Sequence, residues 1–281
     1  MSILSLALTR RWIGWLAFTT LFAVVCVGLA QWQWVRRLEA VAEIRVVAQN
    51  WDAAPVALSE VLPGDAPLNA EAEWTPVILQ GQYLSGEQLL VRNRPFAGRP
   101  GFEVLTPLLL DSGEVFIVDR GWVPTGEAQD SPDVIPSPPE GPVEVLVRLK
   151  PGEPTIAGRG APEGQIATIH LPELAERVGG GPVIAGAYGL LDSETPAVAE
   201  RPSPALRPAP DEGPHLSYTF QWYLFALLGF VGYGWALRQE KRTLLAEQTG
   251  EPIPQRVRRR PSDDEIEDAI VDRQASEINS A

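Results

Sequence analysis

Sulfur and imidazole are nearly missing from this chain. Among 281 residues cysteine occurs once (Cys26), methionine once (Met1) and histidine twice, as His170 and His215. A single cysteine excludes an internal disulfide and any Cys-x-x-Cys zinc, copper or redox site. So few soft and imidazole ligands also exclude a multi-ligand transition-metal centre. Positive charge is scarce: 23 Lys and Arg stand against 36 Asp and Glu, a formal net charge of -13. Binders of nucleic acid carry a basic face, so nucleic acid is not an expected partner. The chain has no Gly-x-Ser-x-Gly elbow, no Gly-Lys-Ser phosphate loop and no His-Glu-x-x-His pair, and no enzymatic activity is expected.

Charge is absent altogether from two long stretches. Residues 12–34 form an uncharged run of 23 positions, enough for a bilayer-spanning helix, which needs about 20 apolar residues. Arg10 and Arg11 precede it, as in a signal peptide. The run ends, however, in Gln31-Trp32-Gln33-Trp34 followed by Arg36 and Arg37, an aromatic belt and basic stop that favour a retained span. Residues 216–237 are also uncharged and contain Gly229, Gly232 and Gly234, with Arg238, Lys241 and Arg242 directly after. Short basic flanks stay cytoplasmic, so both termini are expected inside and the middle outside. The expected organisation is a short cytoplasmic start (1–11), a first span (12–35), an extracytoplasmic domain (36–213), a second span (214–237) and a charged tail (238–281). The tail reads as largely disordered, with room for a short helix near 264–274.

The middle segment, 38–214, holds 11 basic and 26 acidic residues. Its short Val/Ile/Leu/Phe-rich runs at 74–84, 87–92, 102–110, 114–119 and 143–149 read as strands bounded by Gly, Pro, Asp or Ser. Ser85-Gly86 and Asp111-Ser112-Gly113 read as hairpin turns, and 172–178 as a helix with Pro172 in its first turn. Residues 35–49 continue the first helix. Tracts at 123–142 and 191–214, each with six prolines, are expected to be irregular. The fold class is therefore an α+β membrane protein. Two transmembrane helices flank a mostly antiparallel β domain, a small sandwich or barrel.

Two clusters carry possible chemistry. Arg92, Arg94, Arg99 and Arg120, with Trp122, gather positive charge at two strand ends of an acidic domain. Guanidinium forks suit carboxylates, propionates included. Internal ion pairs that lock the loops and contacts to a ligand or partner are both open readings. The second cluster is His215, Tyr218 and Trp222, nearly on one helix face at the mouth of the second span. His215 is either a haem or metal ligand or an interfacial histidine among belt aromatics. His170, between a strand end and a helix, reads as structural.

Several of these residues together resemble the Surf1/Shy1 family of cytochrome oxidase biogenesis proteins. They are the Gln-Trp-Gln-Trp end of the first span, Leu79-Gln80-Gly81-Gln82-Tyr83, Asn93-Arg94 with Gly98 and Gly101, and Thr106-Pro107-Leu108. Arg120-Gly121-Trp122-Val123-Pro124 follows, and then His215-Leu216-Ser217-Tyr218 with Gln221-Trp222. The resemblance implies a factor assisting a haem-copper (aa3-type) oxidase, at delivery or insertion of haem a into the large subunit. His215 matches the position of a proposed haem ligand, with Tyr218 and Trp222 beside it, and Arg92, Arg94, Arg120 and Trp122 facing propionates or a partner. The implied partners are the oxidase large subunit, haem a synthase and the lipid bilayer. The alternatives are a cofactor-free scaffold for the oxidase and an anchored anion-binding module unrelated to respiration. The start at Met1, with the span beginning near Trp12, leaves no room for a mitochondrial transit peptide. The expected location is a bacterial plasma membrane.

Overall fold

The computed structural model describes residues 2–64 and 66–249; the expected helix near 264–274 lies outside the described residues. In chain order the helices are α1 (Ile3–Ala7), α2 (Arg10–Asn50), α3 (Leu58–Val61), α4 (Leu171–Arg177) and α5 (His215–Thr249). The strands are β1 (Val56–Ala57), β2 (Pro76–Tyr83), β3 (Leu89–Val91), β4 (Gly101–Leu110), β5 (Val115–Pro124), β6 (Pro142–Lys150), β7 (Gln165–Ile166) and β8 (Tyr188–Thr195). They form two compact units. One contains the residues up to Gln33 and those from Ser217 onward, and the other is Trp34–Leu216.

The first unit is a pair of helices, α2 and α5, each long and apolar enough to cross a membrane. As expected from 35–49, α2 runs unbroken past its apolar stretch to Asn50. Small side chains let the backbones approach: Ala23, Cys26 and Ala226 form one buried cluster, with Trp222 and Phe225 packed against it. Leu6, Trp12 and Leu237 form another near the charged ends. There Tyr233 meets Trp12 edge-on at 5.5 Å and donates from its hydroxyl to the Trp12 carbonyl at 3.3 Å. Arg11 pairs with Glu240.

The second unit is a closed barrel. Strand pairing runs β2–β6–β8–β5–β4, and β4 returns to β2 through Gly81↔Leu110, Gln82↔Leu109 and Tyr83↔Leu108. Closure favours the barrel over the sandwich and makes a five-stranded Greek-key ring. Its interior is the apolar face of alternating strands: Val77, Leu79, Leu108, Phe116, Val118, Val145, Val147 and Leu149 are all buried there. A second cluster lies on the other face of β4 and β5, where Leu105, Val115 and Ile117 meet Ile169, Leu171 and Leu174 around α4.

Five expected strands and the helix at 172–178 are present, with boundaries close to those read from sequence. Four features differ. No hairpin forms at Ser85-Gly86. Both β2 and β3 pair antiparallel with the same edge of β4, at 108–110 and 103–105, so the 3-10 turn Ser85–Glu87 steps the chain along that edge. β5 continues past Asp119 to Pro124. The tract at 191–214 begins as strand, because β8 runs to Thr195 before the first proline, Pro196. Finally, three pairings are parallel: β1–β2, β3–β7 and β5–β8.

Gly81 lies where β2 turns from β6 towards β4. A Cβ there would stand 2.1 Å from the Leu109 carbonyl oxygen, so backbone would have to move to admit one. Gly81→Ala is expected to destabilise the barrel by about 1–3 kcal/mol, the usual range for overpacking. Denaturant unfolding of the full chain in detergent, followed by tryptophan fluorescence, checks this.

Candidate functional site

The barrel rim is organised by β5. Between the pairs Glu103↔Trp122 and Leu105↔Asp119 the register slips, so Arg120 and Gly121 together oppose Val104. This is a bulge, with Gly121 at φ 122. Adjacent strand residues face opposite sides, and Asp119 and Arg120 divide accordingly. Because of the extra residue, Trp122 returns to the side of Asp119 instead of sharing a face with Arg120.

Arg120 points into the barrel and is sealed, with 0% of its side chain exposed against 4% for Glu194, its ion-pair partner at 3.4 Å. It also donates to the carbonyls of Pro136 at 2.8 Å and Ser137 at 3.2 Å, which anchors the proline-rich loop. Its guanidinium lies 5.6 Å from the Tyr83 ring centroid. Burial and the nearby Glu194 charge push the Tyr83 phenol well above its ordinary range.

On the opposite face Arg94 holds two carboxylates, Glu103 at 2.8 Å and Glu153 at 2.6 Å. Glu153 also accepts from the Ile169 N–H at 2.9 Å. Asp119 stands near them, fully buried, accepting from the Gly121 N–H at 2.9 Å. Burial raises its carboxyl well above the usual range. The charges of Glu103 and Glu153 add to this, and Arg94 and the Gly121 hydrogen bond oppose it. Glu103 is raised by burial in the same way, and Tyr188 by burial and the Asp119 charge. The Trp122 indole donates to the Arg94 carbonyl at 2.7 Å. Phe96 stacks on it at 5.3 Å, and Arg99 sits 6.0 Å from its centroid.

Of the four residues read as contacts for propionates or a partner, Arg94, Arg120 and Trp122 are therefore committed to internal partners, and Arg120 is sealed from any ligand. Arg92 lines a cavity of about 460 Å³ shared with Asn93, Phe102, Glu127 and Asp130. Sequence reasoning missed Glu103, Glu153, Asp119 and Glu194. The available signal was a pair of adjacent charges, Asp119-Arg120, inside a Val/Ile/Phe strand.

His215, Tyr218 and Trp222 lie on α5 at its first residue and at the two following turns. His215 is half-buried, Tyr218 exposed and Trp222 half-buried, and helical spacing keeps the three within about 60° of one another. The chain approaching His215 is fixed. Asp211 accepts from the Gly213 N–H at 2.8 Å, and Glu212 pairs with Arg37 of α2 at 2.8 Å. Arg37, read from the sequence only as part of the basic stop, also lies 5.6 Å from the Trp34 ring centroid. Among the described residues no group of three or more His, Cys, Asp or Glu is arranged to hold a metal ion. His170 precedes α4 without capping it through its side chain.

Arg120→Ala would leave Glu194 buried without its counter-charge, and is expected to cost about 3–5 kcal/mol in denaturant unfolding of the full chain. For Asp119 the folded state holds its proton to higher pH than the unfolded chain does. Native protein therefore binds more protons across that window, and stability falls as pH rises through it. Asp119→Asn keeps the acceptor for Gly121 and removes the ionisation. It is expected to unfold at a higher temperature than the wild type at neutral pH, the difference fading below about pH 4 where both carboxyls are protonated. Thermal melts across pH measure this.

A family model described as the SURF1 family matches residues 20–227. SURF1-like proteins of Mycobacterium tuberculosis and Mycobacterium bovis are 32% identical over 250 residues, covering 86% of this chain and 90% of theirs. The cytochrome oxidase assembly protein SHY1 of Saccharomyces cerevisiae is 28% identical over 116 residues, covering 39% of this chain and 28% of its own. The match takes in the whole barrel, most of the apolar part of α2 and the start of α5 with His215, and on it the chain belongs to the SURF1 family.

Proposed function

We propose that this protein is a non-enzymatic assembly factor for a haem-copper oxidase. In this reading it is held in a bacterial plasma membrane by α2 and α5, with both termini cytoplasmic and the barrel outside. Family membership carries the proposal, and the yeast relative is named a cytochrome oxidase assembly protein. The mycobacterial relatives, matched over 86% of this chain, support a bacterial setting. Basic flanks after the second apolar helix support the orientation.

The finer reading is transient handling of haem a on its way to the oxidase large subunit, and the donor set suits it. His215 would hold the haem through its imidazole, and a haem bound there would supply the iron that the imidazole ligates. Trp222, half-buried on the same side of α5, offers an aromatic wall. Arg37, paired with Glu212 in the turn before His215, brings to that turn a guanidinium of the kind that suits a propionate. Haem a synthase is the natural donor in such a transfer.

Membranes from cells lacking the protein are expected to lose most of the a-type haem band in reduced-minus-oxidised spectra, and the wild-type gene restores it. An unchanged band overturns the oxidase reading. Purified His215→Ala protein is expected to retain haem a much more weakly than the wild type, with an unchanged circular dichroism spectrum. Equal retention overturns the ligand role and leaves oxidase assembly without a cofactor.

A further inference from the structure

Six basic side chains of the barrel unit are buried or half-buried. Five of them hold a carboxylate of the chain. Arg37 pairs with Glu212, Arg94 with Glu103 and Glu153, Arg120 with Glu194, Arg148 with Asp192, and Lys150 with Glu73. Arg92 is the sixth, and it has no ion pair among the described residues. A half-buried guanidinium has given up part of its water, so a missing counter-charge costs it more than it costs an exposed arginine. Arg92 instead lines a cavity of about 460 Å³, a volume within the range of small-ligand sites, where a counter-charge from outside the chain has room to enter.

The walls of this cavity are held without Arg92. Phe102 is packed with Leu90, Val104 and Val123. The loop after β5 is closed by its own hydrogen bonds: the Gly126 N–H donates to the Ser131 carbonyl at 2.9 Å, and the Glu127 N–H to the Asp133 carboxylate at 3.0 Å. Asp133 is thereby engaged. Glu127 and Asp130 line the cavity as well, are exposed, and have no ion pair among the described residues. One uncommitted cation and two uncommitted carboxylates therefore share the cavity without reaching one another.

Charges so placed are complemented by a ligand that carries them in reverse. A dianion would satisfy Arg92 and be repelled by Glu127 and Asp130, and a simple cation would leave Arg92 unanswered. A carboxylate at one end with cationic charge at the other answers both sides, and a basic amino acid with a free carboxyl group is the simplest molecule of that kind. We infer that this cavity binds a basic amino acid by its carboxylate, either as the free molecule or as the C-terminal residue of a polypeptide. Arg92 takes the carboxylate in a bidentate hydrogen bond, and Glu127 and Asp130 face the cationic groups. Such a site goes beyond the oxidase reading and needs no haem.

The test titrates the purified full chain in detergent with free lysine, the tripeptide Gly-Gly-Lys, succinate and cadaverine, and reads binding by saturation-transfer NMR. Lysine or the tripeptide is expected to bind about tenfold or more tightly than succinate or cadaverine, since each of these lacks one of the two charges. Tighter binding of lysine identifies the free amino acid, and tighter binding of the tripeptide identifies a polypeptide terminus. Arg92→Gln is expected to weaken the better ligand by about tenfold or more with an unchanged melting temperature. The double variant E127Q/D130N, at exposed positions, is expected to lose the preference over succinate. Absence of binding by lysine and the tripeptide, succinate binding equal to theirs, or binding undiminished in both variants overturns the inference. So does an equal fall in melting temperature in both variants without ligand binding, which would make Arg92 only a counter-charge to Glu127 and Asp130.

Discussion

Two adjacent ionisable residues, Asp119 and Arg120, are buried on opposite faces of one strand, and much of the barrel unit follows from accommodating them. A buried ionisable group needs a partner on its own face or keeps its neutral form. Arg120 therefore draws Glu194 from β8 and two carbonyls from the loop before β6. On the other face Asp119 joins Glu103 and Glu153, which Arg94 holds together. The bulge at Gly121 makes the division possible: it brings Trp122 back over Arg94 while Arg120 stays inside. The Arg-Gly-Trp run is thus a device for fastening loops to a barrel from both sides of one strand.

The same logic explains what could be read from the sequence. Uncharged helices and punctuated apolar strands follow from local patterning, and both were legible as α2, α5 and most strands. Closure was not, because it depends on one residue, Gly81, tolerating the approach of β4. The end-to-end placing of β2 and β3 on β4 was hidden as well, since a serine-glycine pair marks a step as readily as a hairpin. β8 was masked by the prolines that follow it. The arginine cluster was legible as a concentration of charge, whereas its partners were distant acidic residues: Arg94 and Glu153 are 59 positions apart. No local pattern marks such a pair.

Around His215 the sequence placed the imidazole correctly at the start of a helix, and the structure adds how it is held. A carboxylate from Asp211 caps the turn and Glu212 joins it to Arg37, so the histidine stands at a fixed point where the chain leaves its proline-rich spacer. Three and seven residues on from His215, Tyr218 and Trp222 stay within about 60° of it around the helix, so all three share one face, Tyr218 at its exposed edge.

Closure of the ring has a consequence for the protein's life as a colloid. An open sheet presents a ladder of unpaired N–H and C=O groups on which a second copy can add. Here β2 and β4 use up each other's ladder, and the sheet's outermost strands, β1 and β7, are two residues long. The barrel therefore offers its own copies almost no edge on which to polymerise.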